Sequence, residues 1–378
     1  MVYRFAIIGA GIAGTSVGYW LSQHESVLVL ERESLPGYHT TGRSAAMFIE
    51  TYGPPLVRAL TVGSRPFYET PPTGFTEHPI LTPRGMLMIA TAAQQSHLDE
   101  ACAIAQQVSS KVDRLSPAEA CERVPVLRAE WLSGATYEAD PTDIDVHALH
   151  QGFLKGIRQH GGQLIVSAEV TALARHNGVW QIDTTNGTFE AVTVVNAAGA
   201  WCDEIAKLAG VPTVGLVPKR RSAFIFAPPQ NVQNGTNVGA WPVVVAADES
   251  FYFKPEAGML LGSPANVDPM VPHDVRPEEI DIATGIARIE EATTMTIRRP
   301  TRTWAGLRSF VPDGELVGGF DVAAPEFFWV AGQGGYGIQT AAAMGQACSS
   351  ILLGQSMPPA FAALGVSAER LSPQRLRR

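Results

Sequence analysis

The sequence predicts an α/β fold built on a parallel sheet, and four apolar runs support this prediction. Near the N-terminus the run Phe5 to Ile8 leads through a glycine-rich turn and a helical pattern into a second run, Val27 to Leu30. Two later runs, Val192 to Val195 and Phe327 to Ala331, also end in small residues. Unbroken apolar runs of this length are typical of parallel strands that are buried on both faces.

The composition excludes several classes of protein. The chain has 378 residues, of which 46% are hydrophobic and 17% charged, so long disorder, collagen and coiled coil are excluded. At about 150 residues per domain, two or three domains are expected. The net charge of −8 argues against nucleic-acid binding. The longest apolar run, Trp241 to Ala247, is too short to span a membrane, and a strand that begins at Tyr3 leaves no room for a secretory signal. We therefore expect a cytoplasmic protein.

The cysteines and histidines do not suggest a metal site. No CxxC pair occurs, and widely spaced cysteines in a cytoplasmic protein are expected to be reduced and mostly buried. The cysteines are Cys102, Cys121, Cys202 and Cys348. His147 and His150 form an HxxH pattern that no carboxylate or cysteine cluster accompanies, so we interpret them as residues on a helix face rather than as ligands.

The turn after the first strand carries the strongest functional signal. Gly9 permits a tight turn, Gly11 allows the backbone to approach a pyrophosphate, and Gly14 lets the following helix pack closely on the sheet. The helix N-terminus offers free N–H groups to phosphates. Glu31 lies 22 residues after Gly9, at the end of the second strand, where it can accept hydrogen bonds from ribose hydroxyls. Because an acid there repels a 2′-phosphate, the pattern predicts FAD or NAD and not NADP.

Three further segments favour FAD. The small-residue loop 36–46 is suited to close contact with a cofactor, and Asn196 to Trp201 follows a buried strand. Gly332 to Thr340 forms a second glycine turn, about 320 residues after the first, and opens a helix that extends to about Leu353. A simple turn with a helix cap is the alternative interpretation of this last segment. Contact with both ends of the chain suits a long cofactor such as FAD.

At these residues the chain resembles the D-amino-acid oxidase superfamily of flavoproteins, which includes glycine oxidase and sarcosine oxidase. It resembles most closely the bacterial FAD-dependent D-arginine dehydrogenases. The similarity extends nearly from end to end. The motifs that carry it are GAGIAG, GYHTTGRSAA, TPRG, NAAGAWCD, PKRRSAFIFAPP, ESFYFKP, GMLLGSPAN, WAGLRSF and GGYGIQT.

This resemblance implies a set of FAD-binding residues. The first turn and Glu31 would hold the ADP half, a backbone group near Val170 would meet the adenine, and the C-terminal glycine turn would meet the flavin. The complete set is Gly9, Gly11, Ile12, Ala13, Gly14, Glu31, Arg32, Thr41, Gly42, Arg43, Ser44, Ala45, Ala46, Val170, Ala198, Gly199, Trp201, Gly306, Arg308, Gly335, Tyr336, Gly337, Ile338, Gln339 and Thr340. Relatives that attach FAD covalently often have a cysteine directly after the arginine that corresponds to Arg308. Ser309 stands there, so non-covalent FAD is expected.

Two arginines in apolar strands are candidates for binding the substrate. The alternating segment 219–226 should point one cation inward, and the resemblance identifies it as Arg221. Arg308 also lies in an apolar strand, and a buried arginine is costly unless an anion meets it. The resemblance supplies that anion as the substrate carboxylate, whereas internal salt bridges are the alternative. It also places Tyr252 on the carboxylate, and Tyr52 and the carbonyl of Gly335 near the amino group.

Two departures from the D-arginine dehydrogenase pattern bear on specificity. Met47 replaces a histidine, and Met86 replaces a glutamate that reads the guanidinium of the substrate. A cationic side chain would then be buried without a partner. We therefore expect an apolar, small or cyclic amino acid to be preferred over arginine.

The expected activity is FAD-dependent oxidative deamination of D-amino acids to imino acids and 2-oxo acids, by hydride transfer to flavin N5. The first alternative is oxidation of N-methyl or secondary amino acids, or of 2-hydroxy acids. The second is a flavin-holding subunit without turnover. The electron acceptor stays open between a quinone, a carrier and O2, and the chain is expected to be a monomer or homodimer.

The expected organisation has two domains, each made of separate segments. A Rossmann-like FAD-binding domain comprises 1–83, 140–216 and 312–378. An α+β substrate domain with an antiparallel sheet comprises 84–139 and 217–311, with helices near 94–108 and 277–292. The short basic tail, 371–378, is expected to be a frayed end.

Overall fold

The computed structural model describes residues 1–109, 111–229 and 237–377. Within these ranges the chain forms twenty strands and ten α-helices. The strands are β1 Val2–Ile8, β2 Val27–Leu30, β3 Met47–Phe48, β4 Leu81–Pro83, β5 Met86–Ala90, β6 Val112–Leu115, β7 Gly134–Glu138, β8 Thr142–Ile144, β9 Gln163–Ile165, β10 Val170–His176, β11 Val179–Thr184, β12 Gly187–Asn196, β13 Val217–Phe226, β14 Val243–Ala246, β15 Tyr252–Glu256, β16 Met259–Ser263, β17 Asp268–Pro269, β18 Arg302–Phe310, β19 Val317–Asp321 and β20 Ala324–Ala331. The helices are α1 Ile12–Ser22, α2 Pro55–Glu69, α3 Gln95–Val108, α4 Pro117–Arg123, α5 Val146–Gln159, α6 Cys202–Leu208, α7 Glu279–Ala292, α8 Ala341–Leu352, α9 Pro359–Ala363 and α10 Ala368–Leu371.

The first sheet is centred on parallel strands. β9, β2, β1, β12 and β20 lie side by side in this order, and each neighbouring pair is parallel. Antiparallel strands extend the sheet on one side through β11 and β10, and β19 pairs antiparallel with β20. The four strands predicted from apolar runs are all in the parallel part, where residues such as Ile7, Val29 and Val194 are fully buried. This is the predicted Rossmann-like arrangement.

Hydrophobic clusters cover both faces of the first sheet. On one face α1, α2, α5 and α8 pack over Phe5, Ile7 and Val29. On the other face Leu28 and Val194 pack with Trp329 and with residues of α6. In the described residues, no helix is both long enough and apolar enough to cross a bilayer.

The second sheet is mixed rather than purely antiparallel. Its strand order is β17-β13-β16-β15-β14-β5-β7-β6, with β18 paired to β13, and all of its strands lie within 86–138 and 217–310. The prediction of an antiparallel sheet was wrong for one pair of neighbouring strands, because β14 runs parallel to β5. These two strands come from segments that are more than 150 residues apart, so no hairpin forces them to run in opposite directions.

A third, small sheet and one loop connect the two larger sheets. β3, β8 and β4 form the small sheet. Lys254 of β15 donates to Asp143 of β8 at 2.7 Å, and Arg84 donates to the same carboxylate at 2.7 Å. From the loop after β2, Thr40 donates to the carbonyl oxygen of Leu307 in β18 at 2.7 Å. The sheets are therefore held together by buried polar contacts as well as by packing.

The C-terminal tail is anchored, so the expectation of a frayed end was wrong for the described residues 371–377. Arg377 donates to both carboxylate oxygens of Asp321, a side chain that is completely buried at the end of β19. Arg375 donates to Asp313 at 2.7 Å. Leu371 is also fully buried. Composition suggested a loose basic end, but these carboxylates supply specific partners, and only Arg378 lies outside the described residues.

Candidate active site

A cavity of about 620 Å³ lies between the first and second sheets. On one side it is bounded by the carboxyl ends of β1, β12 and β20, where the chain passes through Gly9, Ala197–Ala198 and Gly332. In open α/β sheets this edge is where ligands bind. On the other side it is bounded by one face of the second sheet.

The first glycine turn requires its glycines. Gly9 has a φ of +105°, and a Cβ at this position would lie 2.5 Å from the carbonyl oxygen of Ala197. A Cβ at Gly14 would lie 1.9 Å from the carbonyl oxygen of Gly9. Gly14 does not line the cavity; it allows α1 to pack against the turn, which is the role expected for the third glycine of such a pattern.

The turn fits a dinucleotide phosphate. Among the described residues, the N–H groups of Gly11 and Ala13 at the start of α1 donate to no acceptor. The neighbouring N–H of Ile12 donates to the Thr41 hydroxyl at 3.0 Å. Free backbone donors at a helix N-terminus beside a glycine turn are the arrangement that binds phosphate in dinucleotide folds. FAD bound here supplies the two-electron acceptor for oxidation of a substrate.

Glu31 lies at the end of β2 and lines the cavity. Its two carboxylate oxygens accept from the N–H groups of Ala10 at 2.8 Å and Glu33 at 3.0 Å. Burial raises the pKa of this carboxyl, although the two N–H groups lower it in part. Each oxygen retains capacity to accept a further hydrogen bond, which suits the hydroxyl groups of a ribose.

His150 supports the glycine turn, a role that its HxxH pattern did not suggest. It lies on α5 and is 4% exposed, and its Nε2 lies 2.9 Å from the carbonyl oxygen of Ala10. Burial lowers the pKa of this imidazole, so the neutral ring donates to the carbonyl. His147 on the same helix is exposed. The interpretation of both histidines as helix-face residues fits their positions, but His150 also positions the turn.

The loop after β2 is tied to both sheets. It contains a single 3₁₀ turn, Thr41–Arg43. Arg43 donates to the carbonyl oxygens of Val275 at 3.0 Å and Ala305 at 3.2 Å, and pairs with Asp274 at 2.5 Å. These contacts fix the loop across the cavity wall.

The far end of the cavity is aromatic and cationic. The Arg32 guanidinium lies 4.8 Å from the ring centroid of Trp201, and the His39 ring lies 4.7 Å from the same indole. Val170 and Glu169 border this end. Stacked planar groups of this kind are suited to an adenine ring.

The second glycine turn lies beside the arginines. Residues 335–340 form turns, and α8 extends from Ala341 to Leu352, which agrees with the predicted helix after the glycine turn. Thr340 precedes α8 and its hydroxyl donates to the Tyr336 carbonyl oxygen at 2.9 Å. A Cβ at Gly335 would lie 1.4 Å from Nη2 of Arg308, so the guanidinium occupies the space above this glycine.

Arg221 and Arg308 face the cavity, and the carboxylate of Glu249, which lines the same cavity, acts on Arg221 through its charge. They lie on the neighbouring strands β13 and β18, on the same face of the sheet, because Arg221 is paired with Gly306, two residues from Arg308. Arg221 donates through Nε to the Asn266 carbonyl oxygen at 2.9 Å. Within the described parts of the chain, neither guanidinium forms an ion pair with a carboxylate. The alternative of internal salt bridges is therefore not observed there.

Arg220, the neighbour of Arg221 in β13, forms the ion pairs with carboxylates that Arg221 and Arg308 lack among the described residues. It points to the opposite face of β13 and pairs with Glu278, with Asp281 at 2.9 Å and with Asp268 at 3.4 Å.

Burial lowers the pKa of Arg221, and the nearby charge of Arg308 lowers it further. Two facing cations in a partly desolvated cavity are stabilised by an anion that bridges them.

Tyrosines surround the two arginines. Nη2 of Arg308 lies 3.4 Å from the Tyr52 hydroxyl, and the Tyr52 and Tyr336 rings meet edge to face at 5.2 Å. Tyr252 lines the same part of the cavity. Burial raises the pKa of Tyr336, and its proximity to Tyr52 raises it further, so this phenol stays protonated at neutral pH. The site thus combines two cations with neutral hydroxyl donors.

Next to the tyrosines the wall is apolar. Ile49, Met86 and Val243 form a buried cluster, against which Met47, Tyr52 and Val245 pack. Met47 and Met86, the two predicted specificity positions, therefore lie together and line the cavity.

The structure brings most of the sequence-predicted residues to this one cavity. Those that line it are Gly9, Gly11, Ile12, Ala13, Glu31, Arg32, Thr41, Arg43, Ser44, Ala45, Ala46, Met47, Tyr52, Met86, Val170, Ala198, Gly199, Trp201, Arg221, Tyr252, Gly306, Arg308, Gly335, Tyr336, Gly337, Ile338 and Gln339. Ser309 also lines it. Gly14, Gly42 and Thr340 do not. Gly42 supports the loop, because its N–H donates to the Gly37 carbonyl oxygen at 2.8 Å and a Cβ would lie 2.7 Å from that oxygen.

Sequence reasoning missed four carboxylates that line the cavity, Glu138, Glu169, Glu204 and Glu249. Glu249 has a φ of +55° in the turn between β14 and β15. Glu138 is the last residue of β7 and pairs with Met86 across the strands. The alternation of β7 could have indicated a buried glutamate, but the pairing joins segments about 50 residues apart.

Comparisons with known proteins agree with this arrangement. FAD-dependent oxidoreductase domain-containing protein 1 of Bos taurus is 24% identical over 409 residues, which cover 92% of this chain and 80% of that protein. The crystal structure of glycine oxidase from Geobacillus kaustophilus has a TM-score of 0.84 at 21% identity and covers 99% of this chain and 98% of that chain. The crystal structure of L-proline dehydrogenase from P. horikoshii has a TM-score of 0.82 at 20% identity and covers 100% and 98%.

The family follows from the match over most of the chain. Residues 4–351 match the family described as FAD dependent oxidoreductase. Membership of this family agrees with the glycine turn, the acid at the end of β2 and the second glycine turn on one cavity. The chain belongs to the family of FAD-dependent oxidoreductases.

Proposed function

We propose that the protein oxidises the α-carbon of D-amino acids and releases an imino acid that water hydrolyses to a 2-oxo acid and ammonia. The α-carbon loses a hydride to bound FAD, and the amino group loses a proton to solvent. The observation that carries this proposal is the pair of guanidiniums of Arg221 and Arg308, which form no ion pair with the described residues and face a cavity that also holds the dinucleotide turn.

The two arginines would bind the substrate carboxylate. A carboxylate that bridges Arg221 and Arg308 makes charge-assisted hydrogen bonds and relieves the repulsion between the cations. The Tyr52 and Tyr252 hydroxyls add neutral donors or acceptors to the same end of the substrate. Held in this way, the α-carbon is positioned rather than chemically activated, and positioning alone lowers the barrier substantially.

The side chain would occupy the apolar wall. Met47, Met86 and Val243 offer no partner for a guanidinium, so we propose a preference for apolar or small side chains over arginine. A strong preference for D-arginine or D-lysine over apolar D-amino acids would contradict this.

Oxidation of secondary amino acids is the second candidate. Glycine oxidase and L-proline dehydrogenase share this fold, and their names point to other carboxylate-bearing amines. A carboxylate bound by the same two arginines would serve these substrates equally, and it would also serve 2-hydroxy acids.

Anaerobic bleaching of the purified yellow protein tests both candidates. D- and L-amino acids, sarcosine, proline and 2-hydroxy acids are added separately, and the flavin absorbance is followed. We expect rapid bleaching by apolar D-amino acids. If only secondary amines or hydroxy acids bleach the flavin, the second candidate replaces the first. If none does, a flavin-holding protein without turnover is indicated.

The anchoring arginines are tested by substitution. Arg221→Met and Arg308→Met should each weaken binding of benzoate, a non-reacting carboxylate, by about 10- to 100-fold, because each removes a charge-assisted pair of hydrogen bonds. Arg302→Met is the matched control, since Arg302 is exposed on the same strand as Arg308. Equal benzoate affinities in all three variants would contradict the carboxylate role.

The mode of FAD attachment has a separate test. Ser309 lines the cavity directly after Arg308 and offers no thiol for a flavin linkage. We propose that FAD is held without a covalent bond. Acid precipitation should leave the flavin in the supernatant, and flavin that stays with the pellet would refute this.

A further inference from the structure

We propose that Glu138 determines specificity by accepting a hydrogen bond from a neutral donor on the ring of an aromatic amino acid, an indole N–H or a phenol O–H. This inference rests on the proposed function and names the substrate class for the same site. Among the described residues of β7, Glu138 is the only polar side chain that is buried and also lines the cavity.

Glu138 lies beside the apolar wall and faces the same way. It is paired with Met86 of β5, and Met86 is paired with Val243 of β14. Residues paired across strands project from the same face of a sheet. Since Met86 and Val243 line the cavity, the carboxyl of Glu138 lies on the cavity side at the next strand.

The carboxyl is buried and incompletely paired. Glu138 is 6% exposed, and its Oε2 accepts from the Thr51 hydroxyl at 2.8 Å. Its Oε1 has no hydrogen-bond partner among the residues that the structure describes. Oε1 is accessible from the cavity, so it can accept from a donor that a ligand carries. An apolar wall that ends in one free acceptor is suited to an apolar group that carries one donor.

The distance between anchor and acceptor suits a long substrate. Tyr252, at the carboxylate end, is separated from Glu138 by three strand spacings and two residues of register, which is about 16 Å between their backbones on a flat sheet. Glycine, alanine and proline have no donor that could reach Oε1. Tyrosine and tryptophan carry a ring donor at the end far from the carboxylate.

The surroundings of Glu138 favour a neutral donor over a cation. Thr51 already satisfies one oxygen of Glu138, and burial, with a further contribution from Asp140, raises the pKa of this carboxyl. The apolar cluster of Ile49, Met86 and Val243 adds a desolvation cost for a cationic side chain.

A pair of substrates that differ by one hydroxyl provides the test. In the wild-type holoenzyme, kcat/KM for D-tyrosine should exceed that for D-phenylalanine by at least about tenfold, because a site built around a buried acceptor rejects the ligand that lacks the donor. D-tryptophan should resemble D-tyrosine. Equal values for D-tyrosine and D-phenylalanine, or faster turnover of D-arginine than of either, would overturn the inference.

Three variants locate the effect. Glu138→Leu should reduce the tyrosine-to-phenylalanine ratio to about one, whereas Glu138→Gln keeps an acceptor and should keep most of the preference. Asp99→Asn is the matched control: its exposed carboxylate pairs with Arg114 at 2.6 Å and does not line the cavity. An unchanged ratio in Glu138→Leu, or a lost preference in Asp99→Asn, would assign the specificity elsewhere.

A binding measurement separates this inference from the proposed function. 4-Hydroxyphenylacetate and phenylacetate carry the carboxylate and the ring but no oxidisable amine. The wild type should bind the first more tightly than the second by at least about tenfold, and Glu138→Leu should bind both equally. If this difference is found but no amino acid bleaches the flavin, the proposed function fails and the inference stands. If amino acids bleach the flavin but both acids bind equally, only the inference fails.

Discussion

The guanidinium of Arg308 occupies the volume into which a side chain at position 335 would project. A Cβ there would lie 1.4 Å from Nη2, and because alanine has no rotamers, only a movement of Arg308 or of the backbone can relieve the clash. Gly335 thus enables the arginine to reach the cavity, and the pair functions as one unit.

This contact predicts the outcome of Gly335→Ala. The added methyl group should displace the guanidinium and weaken benzoate binding by about 10- to 100-fold, while the melting temperature changes little. Gly134→Ala in β7 is the control, because a Cβ there would meet no atom closer than 3.7 Å. Wild-type benzoate affinity in Gly335→Ala would show that Arg308 does not hold the carboxylate.

His150 gives a pH-dependent prediction. Burial lowers the pKa of its imidazole below the ordinary value of 6.5, so on acidification the unfolded state takes up a proton first. The stability due to neutral His150 is therefore complete above about pH 6.5 and is lost as the pH falls below that value. Melting temperatures between pH 8 and pH 5 should fall less steeply for His150→Gln than for the wild type. Parallel curves would show that His150 does not carry this pH dependence.

At the scale of elements, the turn between β1 and α1 combines backbone strain with a close approach. Gly9→Ala would place a methyl group at positive φ and 2.5 Å from the Ala197 carbonyl oxygen. Gly178→Ala, in the turn between β10 and β11, has a similar φ of +84° but meets nothing within 4 Å. The two substitutions therefore share the conformational cost and differ in the clash.

We expect Gly178→Ala to lower the stability by about 1 kcal/mol, the cost of a left-handed L-residue. Gly9→Ala should lower it further and should also reduce the FAD content of the purified protein, because β1 and β12 must move apart at the cofactor turn. Flavin absorbance per protein and the melting temperature measure both effects. Equal flavin contents in the two variants would argue against this turn as the cofactor site.

The same elements show how far sequence reasoning reaches. The dinucleotide turn could be predicted because strand, glycines, helix and acid follow one another within about thirty residues, and each is locally encoded. The inward position of Arg221 beside Arg220 reflects the two-residue period of a strand. Glu138 and His150 were missed because their roles depend on contacts with β5 and with the Ala10 carbonyl oxygen, which neighbouring residues in the sequence do not encode.

At the scale of the whole molecule, the C-terminal tail closes the first sheet. Arg377 is the main cationic partner of Asp321, whose fully buried carboxylate also accepts from Trp329 Nε1 at 3.0 Å. Burial alone would raise the pKa of Asp321, but Arg377 and Trp329 bring it below its ordinary value. The tail is therefore part of the core rather than an appendage.

Arg377→Met should lower the free energy of unfolding by about 3 kcal/mol, because it leaves a buried carboxylate without its cation. Arg114→Met removes an exposed pair with Asp99 and should change the stability little. Urea unfolding at neutral pH measures both. A loss in Arg377→Met no larger than in Arg114→Met would mean that Asp321 finds another partner.

The wall of the cavity comes from two distant parts of the chain. β13, β15 and β18 carry the arginines and Tyr252, whereas β5 and β7 carry Met86 and Glu138, and the parallel β5–β14 pair joins them. Met86 and Glu138 therefore lie on strands that do not pair with β13 or β18, which carry Arg221 and Arg308. Substitutions in β5 and β7 are expected to alter the wall around Met86 while the two arginines keep their positions.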